Sequence, residues 1–222
     1  MNRLSVRLLL LLVAVNAGVA QALSADFTVG IHGGYSAGLG VRGTLSARDF
    51  ARGFPFALEF GVSYTVRDPG DPLGARRLFI NDNTNGTPQE SGTCWDFRMD
   101  FQHRTTVAGL NDAYLFLGVR YLHFAGTYDF VGGNETFDVT SNQWGVGLGG
   151  KASFPMSDRL RFVLTAGLDY YFDATLEGHD TSYSPNGETV NGRNNYTYDD
   201  ADGVINQPKL SPLAMVGISF AL

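Results

Sequence analysis

The chain has 222 residues, enough for one large domain or two small ones. Only 17% are charged, below the roughly 25% of a typical soluble domain, while glycine reaches 28 residues and aromatics 13%. That mix suits β-structure over a helical protein, and a formal net charge of -6 argues against nucleic acid, since phosphate binding needs a basic face. Cys94 is the only cysteine, which excludes an intramolecular disulfide; it reads as a reactive thiol or as a small residue near a strand end.

The chain opens with Arg3 and Arg7, an unbroken apolar run from Leu8 to Val15, and the small-x-small triplet Ala20-Gln21-Ala22. This three-part layout predicts a secretory signal peptide over 1–22, removed from a single domain of 23–222. A membrane helix would need about 20 apolar residues, far more than this run. No cysteine near the leader offers a lipoprotein anchor. Loss of two arginines moves the charge to 14 basic minus 22 acidic, or -8.

No later stretch is long and apolar enough for a transmembrane helix. What recurs is alternation with the strand period of two. Weak instances at 27–35 and 39–47 open the set, joined by Ser36-Ala37-Gly38. From 56 to 67, Phe56, Leu58, Phe60, Val62, Tyr64 and Val66 oppose Glu59, Gly61, Ser63 and Arg67. From 95 to 102, Trp95, Phe97, Met99 and Phe101 oppose Asp96, Arg98, Asp100 and Gln102. Segments 113–125, 143–154, 160–173 and 211–222 bring the total to eight predicted strands. Short connections are expected at 47–53, 104–112 and 155–158, and long polar loops at 68–93, 126–142 and 174–208. Short turns on one side and long loops on the other are the outer-membrane layout; the Ser36-Ala37-Gly38 link breaks it, since it falls on the long-loop side.

A soluble barrel would put the same apolar face inward, so three features are weighed. The apolar face carries no charge, whereas the other carries Arg42, Glu59, Asp96, Arg98, Asp100, Arg120, Lys151, Arg161 and Asp169. Facing lipid, these would cost roughly 2–4 kcal/mol each, more in sum than the ~5–15 kcal/mol that holds a typical protein folded. In a membrane they must face the lumen, although a soluble barrel satisfies this test equally. Glycines such as Gly61, Gly118, Gly147 and Gly167 crowd the polar face, which weakens a solvated strand but makes room inside a narrow barrel. Aromatics also sort by height. Tyr35, Tyr64, Trp95, Tyr121, Trp144 and Tyr170 fall near one end of their strands, and Phe27, Phe56, Phe101, Phe154, Phe162 and Phe220 near the other. Two such girdles are expected at the two interfaces of a membrane barrel. The reading is therefore all-β: an eight-stranded antiparallel up-and-down transmembrane barrel whose lumen holds a charged network.

With its C-terminal pattern Ala214-x-Val216-x-Ile218-x-Phe220, the mature chain resembles the small outer-membrane β-barrel family of OmpA-, OmpX- and OmpW-type proteins. That ending is similar to the signal the family uses for barrel insertion, although here Ala221 and Leu222 follow the aromatic. The resemblance implies a bacterial outer-membrane location, surrounding lipid, and the insertion machinery as a partner. It does not supply an activity, because the family's functions differ widely.

Metal-like motifs are incomplete. Asn81-Asp82-Asn83-Thr84-Asn85-Gly86 begins like a calcium loop, but Gly92 stands where a bidentate Glu is wanted. Asp199-Asp200-Ala201-Asp202-Gly203 lacks ordered ligand spacing, and the sequons at Asn134 and Asn195 mean little in a bacterial barrel. His32, His103, His123 and His179 are scattered, and no motif pairs one with a nucleophile. No cofactor and no metal is expected. The expected function is a monomeric structural or narrow-pore barrel without enzymatic activity. The alternatives are a lipid-modifying enzyme with a Ser–His pair at the outer rim, or an adhesin acting through acidic, Tyr-containing loops, above all 174–208.

Overall fold

The computed structural model describes residues 25–51, 53–107, 110–193 and 196–222. The leader expected at 1–22 and Asn195 of the second sequon lie outside them. β1 (Asp26–Ser36), β2 (Leu39–Arg48) and β3 (Phe56–Arg67) form an antiparallel meander, followed by helix α1 (Pro72–Phe79). β4 (Thr87–Val107), β5 (Leu110–Val131) and β6 (Glu135–Pro155) are nearly twice as long, and β7 (Leu160–Tyr171) is short again. Three small strands then add to the far part of β6: β8 (Leu176–Gly178), β9 (Thr181–Tyr183) and β10 (Thr189–Val190). Helix α2 (Tyr198–Val204) leads into β11 (Leu210–Ala221). In β11, Phe220 meets Leu160 of β7 on one side and Val29 of β1 on the other. The sheet thus closes as an eight-stranded antiparallel barrel of β1–β7 and β11 with no free edge in its wall.

Both described termini and the three short connections lie at one end, the near end. The far end is lopsided. β1 and β2 turn at Ser36–Leu39 with Ala37 at φ 61, whereas β4, β5 and β6 run well beyond. β5 alone has 22 residues, about twice the roughly 9–11 that a strand needs to cross a bilayer.

Along β5 the polarity pattern reverses once. From Leu115 to Tyr121 the outward side chains are apolar, with Leu117 62% exposed, while Gly118 and Arg120 point in. Beyond Tyr121 the same outward face carries His123, Thr127 and Asp129, and the inward Leu122, Phe124, Tyr128 and Phe130 are buried. β6 reverses at Trp144, with Val146 and Leu148 outward on the near side and Thr136, Asp138 and Asn142 on the far side. A strand in water buries its apolar side chains, and a strand in lipid displays them. The level of reversal is marked by aromatic rings. Tyr64 lies 5.0 Å from Trp95 and Tyr121 lies 5.2 Å from Trp144, with Tyr35 and Tyr170 also outward on β1 and β7. At the near end Phe27, Phe56, Phe101, Phe162 and Phe220 are outward and exposed, and Phe154, half-buried, lies 6.2 Å from Phe162.

The segments expected as long loops are built differently. Residues 126–142 are not a loop but the continuation of β5 and β6 to a turn at 132–134. Segment 68–93 contains α1 and the start of β4, and 174–208 contains β8–β10 and α2. The cause is the apolar side chains within them. Leu78 and Phe79 of α1 pack with Phe124, Tyr128, Phe130, Phe137, Val139, Leu176 and Tyr183 into one buried cluster. Phe79 meets Tyr183 edge-on at 5.4 Å, and the Tyr183 hydroxyl donates to the Leu78 carbonyl at 2.9 Å. Arg76 is buried beneath the Phe130 ring, 4.2 Å from its centroid, and pairs with Glu135. Burial pushes the Tyr128 phenol well up; its hydroxyl donates to the Pro69 carbonyl at 2.7 Å. The far end is a folded cap with its own core.

Candidate functional site

Inward side chains of the barrel wall stack in three layers, each set by the strand period. Nearest the termini is a polar vestibule of about 40 Å³, lined by Thr28, His32, Ser46, Glu59, Lys151 and Ser219 among others. That is room for only a few water molecules. Lys151 Nζ meets Glu59 Oε2 at 2.5 Å, Ser46 donates to the same oxygen at 2.5 Å, and Lys151 lies 5.7 Å from the Tyr114 ring centroid. His32 Nε2 contacts Thr44 Oγ1 at 3.2 Å. Arg161 sits at the near rim, where it and Arg104 share Asp112, each at 2.6 Å. It does not join the central charges.

The middle layer is an ionic cluster. Asp169 accepts from Arg98 at 3.0 Å and from Arg120 at 2.8 Å. Arg98 also pairs with Asp96, and Arg120 donates to Asp100 at 2.7 Å. Arg42 joins without touching a carboxylate: it donates to Ser63 at 2.9 Å and to Ser36 at 2.7 Å, and Ser36 also accepts from Arg98 at 3.1 Å. Three cations and three anions thus meet in a space shielded from solvent, a balance that buried charge requires.

Glycines make the cluster fit. A Cβ at Gly61 would stand 2.8 Å from Arg98 Cγ, and one at Gly147 would run into Asp169 Oδ1 and Arg120 Nη2. At Gly149 and Gly167 an added Cβ would run into the Ala166 and Leu148 carbonyl oxygens and then the Phe116 ring, which joins Leu213 and Met215 in a small apolar patch. Above the charges comes the third layer, in which Ala37, Cys94, Leu122 and Tyr171 close the lumen and continue into the cap core. Cys94 therefore lies inside a strand and is buried, not at a strand end.

The remaining motif residues are structural. Asn83 and Asn85 backbone amides donate back to the side chains of Asn81 and Asn83, each at 2.9 Å, in consecutive turns. Asp200 forms a capping box with Thr197 at the start of α2, and Asp202 pairs with Lys209. Burial of Tyr198, together with Asp202 beside it, pushes that phenol up to about 12. His103 lies on β4 rather than in a turn, 5.5 Å from the Phe56 ring. His123 contacts Asn142 at 2.9 Å, and His179 lies 3.3 Å from Asp180 at the β8–β9 turn. Among the described residues no group of His, Cys, Asp and Glu is arranged to hold a metal ion, and no serine hydroxyl bonds a histidine.

No protein-family model matches the chain, and no curated protein matches it. Solved structures do. A major outer membrane protein from Thermus thermophilus aligns with 90% of this chain and 100% of its own, at a TM-score of 0.71 and 23% identity. Acinetobacter baumannii CarO2 aligns with 91% of this chain and 100% of its own, at a TM-score of 0.47 and 15% identity. The Thermus likeness is one of fold: this chain has the closed eight-stranded barrel architecture of a bacterial outer-membrane protein.

Proposed function

We propose that the chain is a bacterial outer-membrane protein whose barrel stands in the lipid as a closed, monomeric structural element and carries the folded cap outside. The observation that carries this reading is the position of the charges. Arg98, Arg120, Asp96 and Asp169 are enclosed on the barrel axis side, while Ile31, Leu39, Leu117 and Leu148 are each about 60% exposed on the outside. Water would favour the opposite arrangement; a lipid surround favours this one. The closed lumen rests on the ionic cluster with the apolar layer above it. A solute entering from the vestibule meets both barriers in series.

The same reading gives the barrel a structural role and no catalytic one: His32, His123 and His179 contact Thr44, Asn142 and Asp180, and His103 lies against the Phe56 ring. Purified protein inserted into a planar bilayer tests the closed lumen. The expected record is flat, or shows only brief, small openings. A large, steady unitary conductance would overturn it.

A further inference from the structure

Two cavities meet at the near girdle, and neither is needed to close the lumen. On the outer wall an apolar groove of about 720 Å³ runs along β4 and β5, lined by Met99, Phe101, Leu115, Leu117 and Val119 among others. Phe54 and Phe56 stand at its foot and also line a pocket of about 170 Å³ on the lumen side of the rim. Groove and pocket thus join around the start of β3.

The groove follows β4 from His103 to Met99, four residues or roughly 13 Å at about 3.3 Å each. Even with strands tilted by about 40°, that passes through more than half of one leaflet, whose hydrocarbon is roughly 15 Å deep.

The pocket is polar and only partly satisfied from within. Arg48 donates to the Tyr114 hydroxyl at 3.0 Å and stands 3.9 Å from the exposed Asp26. Arg104 pairs with Asp112, which also holds Arg161. Gln102, only 3% exposed, lines the pocket and bonds no described residue. A buried amide calls for a partner. Asp49 is the one carboxylate among the described lining residues, so the lining sets two guanidinium groups against one acid. One phosphodiester balances that count and takes charge-assisted bonds from arginine.

Hydrocarbon alone would fill the groove and leave the pocket unexplained; free phosphate would do the reverse. A phospholipid brings both parts in one molecule, with the spacing of a headgroup above its chain. We infer that the groove and the pocket hold one phospholipid of the near leaflet. Its phosphodiester lies at Arg48, Arg104 and Gln102, and an acyl chain lies along β4 and β5. This inference rests on the membrane reading above.

The test takes the full mature protein folded in dodecyl maltoside, which carries no phosphate, and titrates lipid into it under native mass spectrometry. Phosphatidylethanolamine and digalactosyl diacylglycerol with the same acyl chains are both uncharged overall and differ at the headgroup. Wild type should retain one phosphatidylethanolamine and hold the digalactosyl lipid about tenfold more weakly. Arg48→Gln should weaken phosphatidylethanolamine by a similar factor. Leu117→Trp fills the groove and leaves the rim alone; it should weaken retention too, and guards against misfolding of the first variant. The electrophoretic shift of each variant checks that it is folded. Equal retention of the two lipids overturns the inference, as does undiminished retention in either folded variant, or a dimer that excludes lipid. A mature protein that folds and stays soluble without detergent overturns the membrane reading itself.

Discussion

Arg120 on β5 reaches Asp169 on β7 at 2.8 Å by passing over Gly147 of the intervening strand β6. Neither side chain touches solvent. The glycine is as much a part of the ion pair as the charges, since any side chain there would occupy their meeting point.

Removal of a shared carboxylate should cost more than removal of a terminal one. Asp169 serves both Arg98 and Arg120, whereas Asp100 serves Arg120. Asp169→Ala leaves two guanidinium groups short of a partner and should destabilise the barrel by about 3–5 kcal/mol, with Asp100→Ala clearly milder. Urea unfolding of vesicle-inserted protein, followed by the electrophoretic shift between folded and unfolded forms, gives the comparison. Equal midpoints for the two variants would contradict the shared role.

Two glycines on one strand should behave oppositely. Gly147 faces the ionic cluster; Gly150 faces outward, where an added Cβ would find its nearest atom, the Tyr114 carbonyl oxygen, at 3.7 Å. Gly147→Ala should cost about 1–3 kcal/mol through overpacking, and Gly150→Ala should stay within about 0.5 kcal/mol of wild type. The same unfolding assay reads both, and a tolerated Gly147→Ala would mean the cluster can shift aside.

Height along the outer wall should decide the cost of a surface charge. Leu117→Arg places a cation on the apolar belt and should lose about 2–4 kcal/mol in a bilayer. Ser91→Arg, on the polar outward face beyond the belt, should be close to neutral. If both changes are neutral in vesicles, the belt is not in lipid.

Acid should loosen the start of α2. The Thr197 amide and hydroxyl both donate to Asp200 Oδ2 at 2.8 Å and hold that carboxyl below the usual carboxylate range. A depressed folded value stabilises the helix start above the unfolded carboxyl's pKa of about 3.9, and the contribution disappears as pH falls through the lower folded value. The Thr197 amide resonance should therefore move with a midpoint below about pH 3.9. Asp200→Asn should abolish that titration; a midpoint at or above the ordinary range would refute the capping assignment.

The eight barrel strands are legible in the sequence because lipid outside and a narrow lumen inside impose period two on every one of them. The inward direction of residues such as Arg98 and Asp169 follows from the same parity. Their partners do not, because the register of one strand against another is fixed by closure around the whole ring. Arg161 shows the limit: its face is legible, and its height follows from Phe162 beside it in the near girdle, but its partner Asp112 across the rim is not. The cap escapes a sequence reading for a different reason. Beyond Tyr121 the strand parity persists while apolar and polar exchange faces, so a search for one continuous apolar face ends the strand there. Phe124, Tyr128 and Phe130 against Thr127 and Asp129 carry the signal of a second, water-facing sheet.

The tight turn at Ser36–Leu39 keeps the β1–β2 wall low, with Ser36 and Ala37 fully buried, while the β4–β6 wall rises on the other side. The molecule therefore shows its surroundings two unlike flanks. Above the low flank, residues 67–72 and 202–211 of the cap border a cleft that reaches down to Tyr35, so the cap overhangs the wall there at a higher level. In the proposed orientation, anything approaching the far end meets a crest whose direction is fixed by the barrel, since the crest and the wall are the same three strands.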